Sequence, residues 1–146
     1  MRNKKKIPIP TLIVEKTFGG LEVISDFVQR MCTQTKISFK KTWELMMAVD
    51  EICSSFITCS CDEGDFIQIV WEIKDNKVEI IIEENGSPFN PLENFYNEDN
   101  IYGLGPEFIK KMVDNVQYKR ENGLNKIKVS KKIRKYKFPQ SDCGNK

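Results

Sequence analysis

The stretch Val78–Pro91 reads Val-Glu-Ile-Ile-Ile-Glu-Glu-Asn-Gly-Ser-Pro-Phe-Asn-Pro, and the fold assignment starts from it. Its first half alternates apolar and polar residues, which predicts a β-strand over about 77–84. Side chains of a strand alternate between faces, so Glu84 falls on the apolar face, where a carboxylate needs a hydrogen-bond donor. The following Asn85-Gly86 predicts a turn. Two interpretations remain open: a small-molecule contact at Glu84, or a frayed strand end with Glu84 turned to water.

Length and composition indicate one soluble globular domain. The chain has 146 residues, of which 40% are hydrophobic and 30% are charged, and its formal net charge is +2. No apolar run approaches the roughly 20 residues that a membrane helix requires, and the N-terminal residues are too proline-rich for a signal core. We therefore expect a cytoplasmic protein with a basic flexible arm over 1–10, a single domain over 11–137 and a disordered tail over 138–146.

The chain has five cysteines and no histidine. An odd number of cysteines fits reduced thiols inside a cell better than a disulfide framework. Cys59 and Cys61 form one close pair, but a zinc site needs about four ligands and the sequence offers no second close pair. Because histidine, the commonest general base, is absent, any acid–base chemistry has to use carboxylates.

The segment Lys119–Lys137 is strongly basic, with nine lysines or arginines and one acid, Glu121. Such a stripe attracts nucleic acid or an acidic partner. It is also typical of the solvated face of an edge hairpin, where lysine discourages pairing between sheets. The second interpretation is favoured, because no ladder of aromatic residues alternates with the charges for base stacking.

Periodicity predicts five strands and three helices in the rest of the chain. Gly19-Gly20 is expected to break the first strand, and Asp75-Asn76 and Asn122-Gly123 predict tight hairpin turns. The predicted strands cover 12–17, 65–74, 77–84, 116–120 and 125–133, and the predicted helices cover 20–33, 38–60 and 106–114.

One face of the second predicted helix is small and polar. Ala48, Glu51, Ser55 and Cys59 are spaced three and four residues apart, so they lie on the same side of the helix. A face of this kind with a single acid suits the wall of a pocket. Close packing of helices on small residues is the alternative interpretation.

Two glycines precede the third predicted helix, in the order Gly103-Leu104-Gly105-Pro106. Glycines before a helix expose backbone N–H groups near the positive end of the helix dipole, which favours an anion. A simple turn is the alternative. The segment 91–102 before them has no periodicity and is predicted to be a mobile lid over a ligand.

Three motifs stand in one order along the chain: Ala48-Val-Asp-Glu51-Ile-Cys-Ser-Ser55, Glu84-Asn-Gly86-Ser-Pro-Phe-Asn-Pro91 and Gly103-Leu-Gly105-Pro-Glu-Phe-Ile-Lys-Lys-Met-Val-Asp114-Asn-Val. They resemble the N box and the two glycine boxes of the Bergerat-fold (GHKL) ATPases, the superfamily of gyrase-type and histidine-kinase ATP-binding domains. Within that superfamily the chain looks like the anti-sigma-factor serine kinase branch. The likeness covers roughly residues 11–133.

The resemblance implies a role for each motif residue. Glu51 stands at the position of the catalytic acid, which acts as a general base. Ser55 replaces the asparagine that helps to hold magnesium, and a hydroxyl is a shorter ligand for a cation that demands octahedral geometry. Cys59 stands where relatives often carry a histidine, and Glu84 replaces the aspartate that reads adenine. The other cofactor-binding positions are Gly86, Phe89, Gly103, Leu104 and Gly105.

The fold implied by the resemblance is an α/β sandwich, with a mixed, mostly antiparallel sheet of about five strands covered on one face by three helices. The implied function is an ATP-binding regulator that transfers the γ-phosphate of ATP, with Mg²⁺, to a serine of an antagonist protein. Its expected partner is a sigma factor or an anti-sigma antagonist, and family likeness suggests a homodimer.

The substitutions at Ser55 and Glu84 predict weak binding of ATP, ADP and magnesium, and they leave enzymatic activity open. The alternative function is therefore a catalytically impaired module that regulates a partner by binding alone. A nucleic-acid binder that uses Lys119–Lys137 ranks behind both.

Overall fold

The computed structural model describes residues 9–59, 66–93 and 104–133. Their elements are β1 Thr11–Glu15, α1 Phe18–Thr35, α2 Phe39–Cys59, β2 Phe66–Lys74, β3 Lys77–Glu84, α3 Pro106–Met112, β4 Asn115–Glu121 and β5 Leu124–Lys132. All eight predicted elements are present, within two residues of their predicted ends. Most of the basic arm, the predicted tail and most of the proposed lid lie outside the described residues, so those assignments stay predictions.

The five strands form one sheet in the order β1-β2-β3-β5-β4. All four pairings between these described strands are antiparallel, where the prediction allowed a mixed sheet. Tight turns make the two hairpins: Asp75 has φ 57°, Asn122 has φ 53° and Gly123 has φ 76°. Asp, Asn and Gly tolerate this left-handed backbone, so the turn residues fix the β2–β3 and β4–β5 pairings.

The three helices pack on one face of the sheet, which confirms the predicted α/β sandwich. Alternate residues of the strands point towards the helices, as the period of two requires. The hydrophobic core between the sheet and the helices includes Ile24, Phe27, Leu45, Ile52, Phe56, Ile69, Trp71, Ile80, Ile82, Ile109, Ile127 and Val129. The opposite face of the sheet is not covered by any described helix and carries Lys128 exposed at its centre.

The start of α1 differs from the sequence-based prediction. Gly19-Gly20 was expected to break the first strand, with the helix beginning at about residue 20, but α1 begins at Phe18 and contains both glycines. Thr17 is the N-cap, and its Oγ1 accepts the Gly20 amide at 3.0 Å. A Cβ on Gly20 would lie 2.1 Å from the Glu15 carbonyl oxygen, so glycine here permits close packing of α1 on β1.

The basic stripe is partly used inside the protein. Lys126 pairs with Glu83 at 3.2 Å on the open face of the sheet. Lys131 is buried and pairs with Glu44 at 2.9 Å. These contacts fit the interpretation of a structural face better than that of a nucleic-acid surface. Among the described helices, none is long and apolar enough to cross a lipid bilayer.

Candidate functional site

Glu84 ends β3 on the inner face of the sheet and is completely buried. Its Oε1 accepts the Lys16 ammonium at 2.7 Å and the Gly86 amide at 3.0 Å. Its Oε2 accepts the side-chain amide of Asn125. The structure therefore rejects the frayed-end interpretation, because Glu84 points inward and its charge is compensated by a lysine.

Asn125 is the second residue of β5, lies opposite Glu84 in the pairing of β3 with β5, and is also completely buried. Besides Glu84, its Nδ2 donates to the Ser87 carbonyl at 2.8 Å. Its Oδ1 accepts the Phe89 amide at 3.1 Å and the Tyr118 hydroxyl at 2.6 Å. One side chain thus ties the strand end, the segment after it and β4 into a single polar network.

The segment after β3 is held from two further directions. The Gly86 carbonyl accepts Arg120 Nη1 at 2.8 Å. The Phe89 ring packs edge-to-face on Phe56 of α2, with 6.2 Å between the ring centroids. Gly86 and Phe89, both predicted to bind the cofactor, are therefore fixed by the sheet and by α2.

Glu51 lies on α2 and is nearly buried, with 8% of its surface exposed. Its Oε2 accepts the Leu104 amide at 2.9 Å and the Gly105 amide at 3.1 Å. Gly105 is the N-cap of α3 and has φ 86°, a conformation suited to glycine. The carboxylate thus satisfies two backbone N–H groups at the start of α3, as an anion does at a helix N-terminus.

The surroundings of the neighbouring Asp50 disfavour the ionised form of its carboxyl. Burial raises the pKa of its carboxyl, the negative charge of Glu51 adds to the rise, and a hydrogen bond from Ser25 partly opposes it. Ser25 Oγ donates to Asp50 Oδ1 at 2.6 Å. Negative charge is therefore concentrated on this part of α2.

The other predicted residues of α2 occupy different settings. Ser55 is half-buried, and its hydroxyl donates to the Glu51 carbonyl at 2.9 Å within the helix. Cys59 is exposed at the end of α2. Among the described residues, no group of three or more His, Cys, Asp or Glu side chains could hold a metal ion.

The structure brings the predicted residues together in two groups. Glu84, Gly86 and Phe89 share the polar network at the sheet, and Glu51, Leu104 and Gly105 share the contact between α2 and α3. Gly103 lies outside the described residues. The role assigned to each of these residues stays a prediction.

Four residues of the site were missed by sequence reasoning: Lys16, Tyr118, Arg120 and Asn125. The sequence pattern contains a signal for them, because each lies at an interval of two from inward-facing apolar residues of the nearest strand. Lys16 follows Leu12 and Val14 at intervals of two, and Asn125 precedes Ile127 and Val129 in the same way. A polar residue at an inward position at the end of a strand indicates a buried network.

The described side chains do not present open positions for a magnesium nucleotide. Glu84, which the resemblance places at the base-reading position, is buried on Lys16, and the amides of Leu104 and Gly105, which the resemblance assigns to the cofactor, bind Glu51. Ser55, which the resemblance places at the magnesium-ligand position, supplies one neutral hydroxyl that is bonded to its own helix. In this arrangement the described groups that the resemblance assigns to the cofactor bind other groups of the protein.

Comparison with known proteins gives two findings and one negative result. The family model described as histidine kinase-like ATPase domain matches residues 15–131. A solved structure, of the RsbU and RsbW domains of Rv1364c from Mycobacterium tuberculosis, superposes with a TM-score of 0.67 at 9% sequence identity. The alignment covers 87% of this chain and 32% of that one, so this chain spans about a third of its length. None of the curated proteins matches the sequence.

The matched family segment begins at the end of β1 and ends within β5, so it includes every described element of the candidate site except the first residues of β1. The GHKL resemblance found in the sequence is thereby confirmed by the family match, and the superposed structure shares the same fold. The chain belongs to the histidine kinase-like ATPase domain family.

Proposed function

We propose that this chain is a regulatory member of its family that acts by binding a protein partner, while its own side chains keep the nucleotide site closed. One observation carries the proposal: Glu51 Oε2 binds both amides at the start of α3. A phosphate oxygen that used these amides would have to displace a carboxylate. The approaching anion would also meet the negative charge of Glu51 and Asp50.

The same contact bears on catalysis. A general base has to accept a proton from the reacting hydroxyl. Glu51 Oε2 is already engaged with two donors, so one of these bonds must break before that oxygen can take part. Ser55 adds one neutral hydroxyl where a magnesium site draws on carboxylate or carbonyl oxygens. Both features favour binding over phosphoryl transfer.

An exposed apolar ridge on α2 supports the protein-binding role. Phe39 is 86% exposed and Trp43, one turn further, is 48% exposed. Residues four apart lie side by side on a helix, so the two rings form one patch. Large exposed aromatic residues of this kind mark surfaces that bind other proteins. The partner proposed here is a regulatory protein of the sigma factor or anti-sigma antagonist type.

The second candidate is the serine kinase that the family resemblance implies. It would bind ATP with Mg²⁺ and phosphorylate a serine of an antagonist protein. One observation favours it: the carboxylate of Glu51 lies at the start of α3, beside the second glycine box, where the resemblance places the general base. The two candidates differ in whether nucleotide binds at all.

Calorimetric titration with ATP and ADP, with Mg²⁺ or chelator, separates the two candidates. We expect wild type to show no saturable binding tighter than about 1 mM. Glu51→Gln removes the charge that competes for the amides, so we expect it to bind ATP at least tenfold more tightly than wild type. Ser55→Asn is the matched α2 variant for the metal, and it should raise the magnesium dependence of any binding. Micromolar binding of ATP by wild type, with transfer of its γ-phosphate to a serine, would establish the kinase instead.

A further inference from the structure

Lys16, which follows β1, is buried deeply for a lysine. Its side chain is 1% exposed, and its ammonium lies 2.7 Å from Oε1 of the fully buried Glu84. The two residues are 68 positions apart in sequence. The inward face of β1 and the close packing of α1 at Gly20 bring Lys16 to the end of β3.

A nucleobase would have to replace this ammonium in order to use Glu84. An exocyclic amine on a base is a neutral donor, whereas Lys16 supplies a full positive charge to the same oxygen. Replacing the Lys16 ammonium by a base at Glu84 would also separate a buried lysine from the carboxylate that it pairs with, which is strongly unfavourable. Lys16 has the further advantage of being tethered to the site, which gives it a high effective concentration.

The segment beside Glu84 is held independently of Lys16. Arg120 binds the Gly86 carbonyl, and Asn125 binds both the Ser87 carbonyl and the Phe89 amide. These bonds keep the segment close over the carboxylate. The position of the segment therefore does not depend on Lys16, and Lys16 is the charged group that a base would have to displace from Glu84.

We propose that Lys16 occupies the base-recognition position of this nucleotide site and bars purine bases from it. The inference concerns the base end of the site, and goes beyond the proposed function, which depends on Glu51 at the phosphate end. It makes Lys16 the residue that determines base specificity: a cation of the protein takes the place of the amine that the carboxylate would otherwise read.

Competitive acylation of lysines in the wild-type protein is the first test. We expect Lys16 to react with acetic anhydride at least tenfold more slowly than Lys126, which pairs with Glu83 on the open face of the sheet. Adenosine should leave the rate at Lys16 unchanged. Equal rates for the two lysines, or a rate at Lys16 that responds to adenosine, would overturn the proposal.

Adenosine titration of variants is the second test, because adenosine probes the base end without phosphates. We expect Lys16→Ala to gain saturable binding at least tenfold tighter than wild type. Lys126→Ala, its matched control, should behave as wild type does. A folded Lys16→Ala that binds adenosine no better than wild type contradicts the proposal.

The alanine variant leaves space for the missing part of the side chain, so n-propylammonium should bind beside Glu84. We expect this ion to raise the melting temperature of Lys16→Ala and to have no such effect on wild type. Sodium propionate is the control for added solute. If Lys16→Ala folds only when propylammonium is present, the assignment of a bound cation beside Glu84 is supported. If Lys16→Ala does not fold even with the ion, while Lys126→Ala folds, the proposal is wrong.

The outcomes for the two ends of the site can be told apart. Inorganic pyrophosphate carries the phosphate chemistry and no base. If wild type binds pyrophosphate tightly but not adenosine, the proposed closure by Glu51 is wrong and the assignment of Lys16 stands. If Lys16→Ala gains no adenosine binding while Glu51→Gln gains pyrophosphate binding, the reverse holds.

Discussion

Glu84 and Glu51 are both buried carboxylates of the candidate site, but the protein holds them in different ways. Glu84 sits on the sheet, where it pairs with the Lys16 ammonium and accepts the side-chain amide of Asn125. Glu51 sits on a helix against two neutral amides, at the edge of the described structure. Removing a carboxylate that neutralises a buried cation leaves a charge behind in the interior, whereas removing one that is held by neutral amides leaves no charge behind.

The comparison predicts that Glu84 contributes far more to stability than Glu51. Glu84→Ala would remove the carboxylate that pairs with the buried Lys16 ammonium, and we expect a loss of about 3–5 kcal/mol in the free energy of unfolding. Glu51→Ala should lose only about 1 kcal/mol, because water can replace it at the exposed Leu104. Urea denaturation measures both.

The control for this pair is Glu83→Ala, which breaks the ion pair with Lys126 on the opposite face of the sheet. A partly exposed pair contributes about 0–1 kcal/mol, so little change is expected. Equal losses for Glu84→Ala and Glu51→Ala would show that the two carboxylates are not held differently.

Substitutions at Asn125 and Tyr118 test whether the hydrogen bonds around Glu84 act as one network. Asn125→Ala removes the donors to Glu84 and Ser87 and the acceptor for Phe89 and Tyr118, so we expect it to cost about 2–3 kcal/mol. Tyr118→Phe removes one hydroxyl of the same network and should cost about 1 kcal/mol. Thermal or urea unfolding compares them, and a larger loss for Tyr118→Phe would contradict the central place of Asn125.

A substitution at Gly105 tests the contact between Glu51 and the start of α3 by changing the backbone alone. Its φ of 86° is unfavourable for any other residue, and a Cβ would meet nothing within 4 Å. Gly105→Ala should therefore cost about 1–2 kcal/mol through backbone strain, without a steric clash. Hydrogen exchange should show faster exchange at the Leu104 and residue-105 amides, with the Gly86 amide unchanged. Faster exchange at Gly86 as well would mean that the two ends are coupled.

The smallest expected effect is the pH dependence at Asp50. Because burial raises its pKa in the folded state, the ionised form is disfavoured there, and the cost is present above the folded pKa. Asp50→Asn keeps an acceptor for Ser25 and should be more stable than wild type near pH 7 by a fraction of a kcal/mol. The difference should shrink as the pH falls through the folded pKa, and vanish below the unfolded value of about 3.9. Unfolding curves across pH measure it, and an unchanged difference at low pH would contradict this origin.

The sequence predicted the elements and the sandwich well, because both depend on local periodicity and turn residues. The inward position of Glu84 followed from the alternation of its strand. Its partner did not, because Lys16 reaches it only through the pairing of β1 with β2 and of β2 with β3. The bond from Glu51 to Leu104 likewise joins residues 53 positions apart, and no local pattern encodes it.

The one clear error, at Gly19-Gly20, has a physical reason. The glycine pair was read as the break after the first strand, and glycine also lowers helix propensity, but propensity is a weak prior where packing needs a missing side chain. At Gly20 the closeness of the Glu15 carbonyl outweighs the loss of propensity.

Gly20 also limits how this protein can evolve. Its missing side chain lets α1 approach the strand end from which Lys16 turns inward. Any larger residue there would push the helix away from β1 and move the ammonium relative to Glu84. A lineage could therefore exchange most exposed residues of α1 one at a time, but a change at Gly20 would survive only together with changes at the buried ion pair.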